Sequence, residues 1–267
     1  MKYFVSDLIV GMKGIGEFGR WVSRCGREDF GAEFSAFTHS DAYWKELSEE
    51  VVPRCSAPMT FHGPYVQIEA TSPLDSPEHA WLMESYRKVF VLAAVYGVRH
   101  VVFHYSQLQF APEAIPEAQK NARAVMRQLN EEAHRQGVHF VIENLCRHPK
   151  EGTHLFTNEE YFHLFEEMPD AEALIDIGHA NVNGLDVEKF LAAYGPRVRG
   201  FHVHNNDGME DQHRDYHLGT ADIRSIMHWA GAYTKDADIV IEYEPHEAEL
   251  LEEIDELKGW VEEGIRH

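Results

Sequence analysis

Histidines and carboxylates concentrate in residues 173–217, which contain two apolar runs. The first run, Ala173–Ile177, includes Asp176 and is followed by His179; the second run is Val198–Val203. Six more residues of these types lie at the end of the second run or after it: His202, His204, Asp211, His213, Asp215 and His217. Imidazoles and carboxylates together bind divalent transition metals such as Zn, Mn, Fe or Co. The segment therefore predicts a metal centre rather than a solvated histidine-rich loop.

The composition limits the classes of partner. The chain has 267 residues, a 44% apolar fraction and a formal net charge of −21. Because contacts to phosphates dominate nucleic-acid affinity, this charge disfavours DNA and RNA and favours a small-molecule substrate. No apolar run reaches the ~18 residues of a membrane helix. The three cysteines lie far apart, so we expect no disulfide framework and a cytoplasmic location.

Short apolar segments alternate with amphipathic ones along the whole chain. The predicted strands are Lys2–Val5, Gly31–Phe37, Met59–His62, His100–His104, His139–Glu143, Ala173–Ile177, Val198–Val203 and Ile239–Glu242. The predicted helices are Glu17–Gly26, Tyr43–Val51, Glu78–Tyr96, Pro116–Gln136, Glu159–Met168, Asp186–Tyr194, Asp222–Ala230 and Glu247–Val261. We predict N-caps at Asn158 and Asp222. Strict alternation predicts an α/β protein with one domain over residues 1–267, a (β/α)8 TIM barrel, with a doubly wound open sheet as the competing fold.

Three glycines after the first strand match a dinucleotide-binding pattern. Gly14, Gly16 and Gly19 satisfy G-x-G-x-x-G and precede a predicted helix. No second doubly wound half follows them, so we favour a βα loop without a nucleotide.

The predicted strand ends share one chemistry. Active sites of such barrels lie at the C-terminal ends of the strands. Strands three to eight end at or near His62, His104, Glu143, Asp176 with His179, His202 with Asp211 and His213, and Glu242. We predict that these residues form a metal site, with Glu244 as an alternative to Glu242 and with Asp215 and His217 as an alternative pair. Tyr65, Tyr105 and Asn144 are predicted substrate contacts, and His204 is either a substrate contact or a solvated side chain.

Several motifs resemble the xylose isomerase-like TIM barrel superfamily, which includes sugar phosphate isomerases, epimerases and endonuclease IV. They are FHGPY from residue 61, VVFHYS, VIENL, LIDIGHAN, GFHVHNNDG with DQH, and IVIE. In the endonuclease IV branch nine residues hold three metals, and the resemblance maps them to His62, His104, Glu143, Asp176, His179, His202, Asp211, His213 and Glu242. In the epimerase branch one metal uses the subset Glu143, Asp176, His202 and Glu242. The resemblance thus implies one to three divalent metals per chain.

The seventh loop departs from the family pattern. The family's Asp-x-His lies closer to the following Leu-Gly than Asp211 and His213 lie to Leu218, which keeps the alternative pair open. The glycine expected at position 221 is an alanine.

Two functions follow from these residues. The first is a metal-dependent isomerase or epimerase of a small sugar or sugar phosphate, in which Glu143 and Glu242 remove and return a proton. The second is a multinuclear metal hydrolase of a phosphoester, with a small substrate favoured over DNA by the charge of the chain. We expect chemistry rather than simple binding, because open carboxylates in a barrel mouth usually act on a substrate.

Overall fold

Eight parallel strands close into a barrel in chain order. The computed structural model describes residues 1–9, 14–146, 154–243 and 249–266. The strands are β1 (Tyr3–Ser6), β2 (Phe30–Ser35), β3 (Met59–His62), β4 (Val101–Phe103), β5 (Phe140–Glu143), β6 (Glu172–Asp176), β7 (Val198–Val203) and β8 (Asp238–Ile241). Because β1 pairs with both β2 and β8, the sheet has no open edge. The predicted (β/α)8 barrel is confirmed, and the doubly wound sheet is excluded.

Each strand leads into one or two helices that cover the barrel. They are α1 (Ile15–Arg24), α2 (Asp41–Lys45), α3 (Pro77–Tyr96), α4 (Ile115–Gln136), α5 (Asn158–Glu167), α6 (Ile177–Asn183), α7 (Val187–Tyr194), α8 (Ile223–Tyr233) and α9 (Leu250–Ile265). A π-helical turn, Glu46–Val51, continues α2. Residues 247 and 248 of the predicted last helix lie outside the described residues. Within the described part of the chain, no helix combines the length and apolarity that a membrane crossing requires.

One predicted helix cap is wrong, and one helix was not predicted. The cap of α5 is Thr157 rather than Asn158, because the Thr157 side chain accepts from the Glu160 N–H and the Glu160 side chain accepts from the Thr157 N–H. Helix α6 was not predicted, since it begins directly after β6 with no intervening loop; the Asp176 carboxylate caps it. The predicted cap at Asp222 is confirmed, as its side chain accepts from the Ser225 N–H.

Successive side chains along each strand point alternately toward the helices and toward the inside of the barrel. Phe61 of β3 belongs to the large apolar core between strands and helices, whereas its neighbour His62 belongs to the polar cluster at the barrel mouth. Val102, Val141 and Leu174 form a separate small apolar cluster. Polar side chains are therefore buried beside an apolar lining, which leaves them few partners except one another.

Two glycines of the G-x-G-x-x-G pattern have roles in backbone conformation and helix packing. Gly14 caps α1 with φ +90°, a conformation that favours glycine. A Cβ at Gly19 would lie 2.9 Å from Val51, so the glycine allows α1 to approach the π-helical turn closely. The two glycines thus allow the backbone conformation and the close packing of the first βα unit of the barrel.

Candidate metal centre

Four side chains meet at the mouth of the barrel, and we call them the central site: Glu143, Asp176, His202 and Glu242. His202 Nδ1 lies 3.4 Å from Glu143 Oε1, 3.3 Å from Glu242 Oε2 and 3.8 Å from Asp176 Oδ2. All four side chains are at most 4% exposed. Three carboxylates thus surround one imidazole nitrogen in an almost dry site, where their mutual repulsion is weakly screened.

The electrostatics of the central site follow from this crowding. Burial alone would lower the pKa of His202, but the carboxylates around it, Glu242 foremost, raise it well above its usual range. Burial would likewise raise the pKa of Glu143, yet the imidazoles of His104 and His202 hold it well below its usual range. A positive charge among these carboxylates therefore stabilises the site.

A second group, the histidine-pair site, consists of His62, His104 and Glu143. The two Nε2 atoms are 3.3 Å apart, and Glu143 Oε2 lies 2.7 Å from His104 Nε2. Glu143 thus directs one oxygen toward this site and the other toward the central site. A carboxylate placed in this way can bridge two cations.

A third group, the loop site, consists of His179, Asp211 and His213. Asp211 Oδ2 lies 3.2 Å from the Nε2 atoms of both histidines. Burial would raise the pKa of Asp211, but the two imidazoles lower it below its usual range. Burial would lower the pKa of His213, but the same carboxylate raises it to about 9. The loop site is the most open of the three, with His213 37% exposed.

Backbone carbonyls orient three of the histidines. The Nδ1 atoms of His62, His179 and His213 face the carbonyls of Gly63, Asn144 and Glu242 at 2.8–3.1 Å. A carbonyl only accepts, so each Nδ1 carries a proton, and Nε2 is the nitrogen that could bind a metal once it is deprotonated. Such outer contacts are typical of histidines that bind metals.

The backbone around the centre is fixed by local contacts. Asn144 Nδ2 donates to the Asp176 carbonyl at 2.9 Å, and the Asp176 N–H donates to Asn144 Oδ1 at 2.8 Å. His213 has φ +45°, a region that non-glycine residues rarely adopt and that is often found at functional sites. The antiparallel bridge between Asn205 and Arg214 closes the loop that carries Asp211 and His213.

The structure brings all nine predicted ligands to one end of the barrel and separates the alternative pair from them. Asp215 and His217 contact each other and, through His217, Glu256 of α9. Position 244 lies outside the described residues. Tyr65 packs on the rings of His62 and His104, with centroids 4.8 and 5.4 Å away, and its contact with a substrate stays a prediction.

The other predicted substrate contacts have internal partners. The Tyr105 hydroxyl accepts from the Leu145 N–H, and the Asn144 amide pairs with the backbone of Asp176, so their contacts with a substrate stay predictions. His204 is not a solvated side chain, and its contact with a substrate stays a prediction. Its side chain has no exposed surface, its Nε2 lies 3.0 Å from Asp176 Oδ2, and its ring stacks on His213 at 3.9 Å.

Sequence reasoning missed three buried carboxylates on or next to the strands: Glu33, Asp7 and Asp238. Glu33 of β2 lies 3.0 Å from His202 Nε2 and is fully buried. Asp7, which follows β1, accepts hydrogen bonds from the Ser35 and Tyr43 hydroxyls. The available signal for Glu33 was an acid in the middle of an otherwise uncharged strand, where a parallel barrel normally places apolar side chains.

The donor atoms present fit a divalent metal. Among the described residues, Glu143 Oε2, His202 Nδ1 and Glu242 Oε1 are buried without a well-aligned hydrogen-bond partner. Buried polar atoms are seldom left in this state, and a bound cation satisfies them. Two triads, Glu143 with Asp176 and His202, and His62 with His104 and Glu143, each place one donor atom per residue within 4.8 Å of one another.

The fold and the site together define a TIM barrel with a candidate metal centre at the C-terminal ends of its strands. The family model for the xylose isomerase-like TIM barrel matches residues 23–263, and the chain belongs to this family. A search of curated protein sequences gives no significant match.

Solved structures with the same fold share little sequence identity with the chain. A D-tagatose 3-epimerase-like protein is 17% identical, with a TM-score of 0.80 and coverage of 100% of this chain and 99% of the other. A D-allulose 3-epimerase from Methylomonas sp., solved with D-allulose, is 16% identical, with a TM-score of 0.67 and coverage of 100% and 95%. A ZnCl2-soaked protein from Thermus thermophilus is 18% identical, with a TM-score of 0.69 and coverage of 97% and 98%.

Proposed function

We propose that the protein is a metal-dependent isomerase or epimerase of a small polyhydroxylated sugar or sugar phosphate. The observation that carries this proposal is the placement of two buried glutamates, Glu143 and Glu242, at nearly equal distances of 3.4 and 3.3 Å from His202 Nδ1. Two carboxylates around one point can act on opposite faces of a substrate carbon. The epimerases among the structural neighbours support this class of reaction.

Epimerisation next to a carbonyl needs a proton to leave one face of a carbon and a proton to return to the other. A divalent metal in the central site would polarise the substrate carbonyl and the neighbouring hydroxyl. The Glu143 carboxylate, kept ionised by its imidazole neighbours, would take the proton and leave an enediolate. Glu242, in its protonated form, would deliver a proton to the opposite face, after which exchange with solvent would remove the proton from Glu143 and restore the one on Glu242; Tyr65 would limit water at the mouth. We assign these roles to the two glutamates and Tyr65.

Solvent exchange tests the two-carboxylate mechanism. D-Allulose and D-tagatose are incubated in D2O with Mn²⁺- or Co²⁺-loaded protein, and proton NMR records deuterium at the carbon next to the carbonyl. We expect Glu143→Gln and Glu242→Gln each to slow exchange by about 10²- to 10⁴-fold. Glu172→Gln is the control, since Glu172 pairs with Arg199 at the start of β6, the opposite end of the barrel. Exchange at the wild-type rate in both site variants would refute the mechanism.

The shared carboxylate of Glu143 supports a second candidate, a multinuclear phosphoester hydrolase. Its Oε2 lies 2.7 Å from His104 Nε2 in the histidine-pair site while its Oε1 belongs to the central site. Two cations held in this way can generate hydroxide and neutralise a leaving oxygen. Hydrolysis of p-nitrophenyl phosphate or bis(p-nitrophenyl) phosphate by Zn²⁺-loaded protein, together with no exchange on any ketose, would favour this candidate over the isomerase.

A further inference from the structure

The carboxylate of Glu33 lies inside the barrel and contacts the histidine of the central site. Its Oε2 accepts a hydrogen bond from Thr60 Oγ1 at 2.9 Å, and its Oε1 lies 3.0 Å from His202 Nε2. The ring approaches Oε1 obliquely, so this is an ion-pair contact rather than a linear hydrogen bond. Neither side chain has exposed surface, and the two groups therefore interact without competition from water.

His202 is oriented differently from the three histidines whose Nδ1 atoms face backbone carbonyls. Those three direct Nε2 toward the cluster, whereas His202 directs Nδ1 toward it and Nε2 toward Glu33. The charge of an ionised carboxylate attracts an N–H and repels a nitrogen lone pair, also where the approach is oblique. Glu33 therefore favours the form of His202 that carries a proton on Nε2.

We propose that Glu33 is a positioning residue of the metal centre, which holds the Nε2–H of His202 and so leaves the Nδ1 lone pair for the metal. A carboxylate behind a metal-binding histidine fixes the ring and raises its basicity. The inference rests on the metal centre of the proposed function but not on its reaction. It assigns to β2 a role at a site whose ligands all come from β3 to β8 and the segments that follow them.

A chain of alternating charges supports Glu33 from the other side. His100 Nε2 lies 3.8 Å from Glu33 Oε2, and His100 Nδ1 lies 3.4 Å from Asp238 Oδ2. Asp238 in turn pairs with Arg99 at 2.7 Å. A buried charge is strongly unfavourable unless it is paired, so these groups are what allow a carboxylate to remain charged inside the barrel.

The tautomer of His202 can be observed directly in the wild-type protein. Histidine-selective ¹⁵N labelling and long-range ¹H–¹⁵N correlation spectra of Zn²⁺-loaded protein distinguish protonated from metal-bound ring nitrogens. The comparison with His202→Gln assigns the signals. We expect His202 to carry its proton on Nε2, and a metal-bound Nε2 would overturn the proposal.

Metal affinity tests the contribution of Glu33. Zn²⁺ titrations against a chromophoric chelator compare wild type with Glu33→Gln and with Thr60→Val, which removes the neighbouring hydrogen bond but not the contact with His202. We expect Glu33→Gln to weaken binding about 10- to 100-fold and Thr60→Val to change it less than about threefold. Circular dichroism and melting temperature verify that each variant is folded.

The outcomes separate this inference from the proposed function. Equal Zn²⁺ affinity of wild type and Glu33→Gln would overturn the role of Glu33 and leave the metal-dependent reaction standing. A wild-type protein that binds no Zn²⁺, Mn²⁺ or Co²⁺ would overturn both. If Glu33→Gln does not fold, the NMR measurement of the His202 tautomer in the wild-type protein tests the proposal on its own.

Discussion

Gly178→Ala is predicted to disturb the candidate metal centre through His204. A Cβ at Gly178 would lie 2.0 Å from His204 Cε1, against 3.4–4 Å for an ordinary contact, so the ring would have to move by more than 1 Å. The opposite face of this ring stacks on His213 at 3.9 Å. Because the ring lies between Gly178 and His213, it cannot retreat without displacing a residue of the loop site.

The magnitude follows from two opposing effects. Overpacking a tight site costs about 1–3 kcal/mol, whereas alanine is favoured over glycine in a helix by about 1 kcal/mol. Gly259→Ala in α9 is the matched control, because nothing lies within 4 Å of a Cβ there. At about 2–4 °C per kcal/mol, we expect the melting temperature of Gly178→Ala to fall by a few degrees and that of Gly259→Ala to rise.

The assay combines thermal unfolding with turnover. A displacement of about 1 Å at a catalytic site can reduce turnover about 100-fold, so Gly178→Ala should be nearly inactive and Gly259→Ala fully active. Equal melting temperatures and equal turnover for the two variants would refute the packing of His204 between Gly178 and His213.

Two further predictions concern pH and metal content. Burial raises the pKa of Asp7 to about 7 despite its hydrogen bonds, so its stabilising contribution is complete below its unfolded pKa of ~3.9 and is lost as pH rises through about 7. Urea unfolding between pH 5 and 8 should show wild type losing up to about 3 kcal/mol relative to Asp7→Asn, and parallel pH profiles would contradict this assignment. His62→Ala and His104→Ala should each lose about one metal equivalent per chain by elemental mass spectrometry, with the exposed His163→Ala as control; full metal content would exclude the histidine-pair site.

The regular features of the chain were predictable because each is a local property. Strands β3 and β7 occur at the predicted bounds, since turn residues and charges delimit their apolar runs. Helix α6 was not predicted, because its cap is Asp176, a residue that also belongs to the preceding strand. Where one residue serves two elements, periodicity gives no separate signal.

The ligand-type residues at the mouth were predictable for a different reason. Parallel strands end together, so residues distant in sequence, such as His62 and Glu242, were expected at one end of the barrel. The position of His204 was not predictable, because its environment depends on Gly178 and His213, which the fold brings in from other segments. Its burial is a tertiary property with no counterpart in local spacing.

Glu33 lies inside the barrel, below the strand ends from which we predicted the site residues, and was therefore not predicted. The strand register pairs Glu33 with Thr60 and Ser35 with His62, so Glu33 lies one inward-facing position below the mouth. Replacing a buried ionic network by well-packed apolar side chains is often stabilising. A barrel that instead buries Glu33, His100 and Asp238 in succession beneath His202 forgoes that gain. The role that we propose for this network, orienting His202 as a metal ligand, would be a physical reason to retain it.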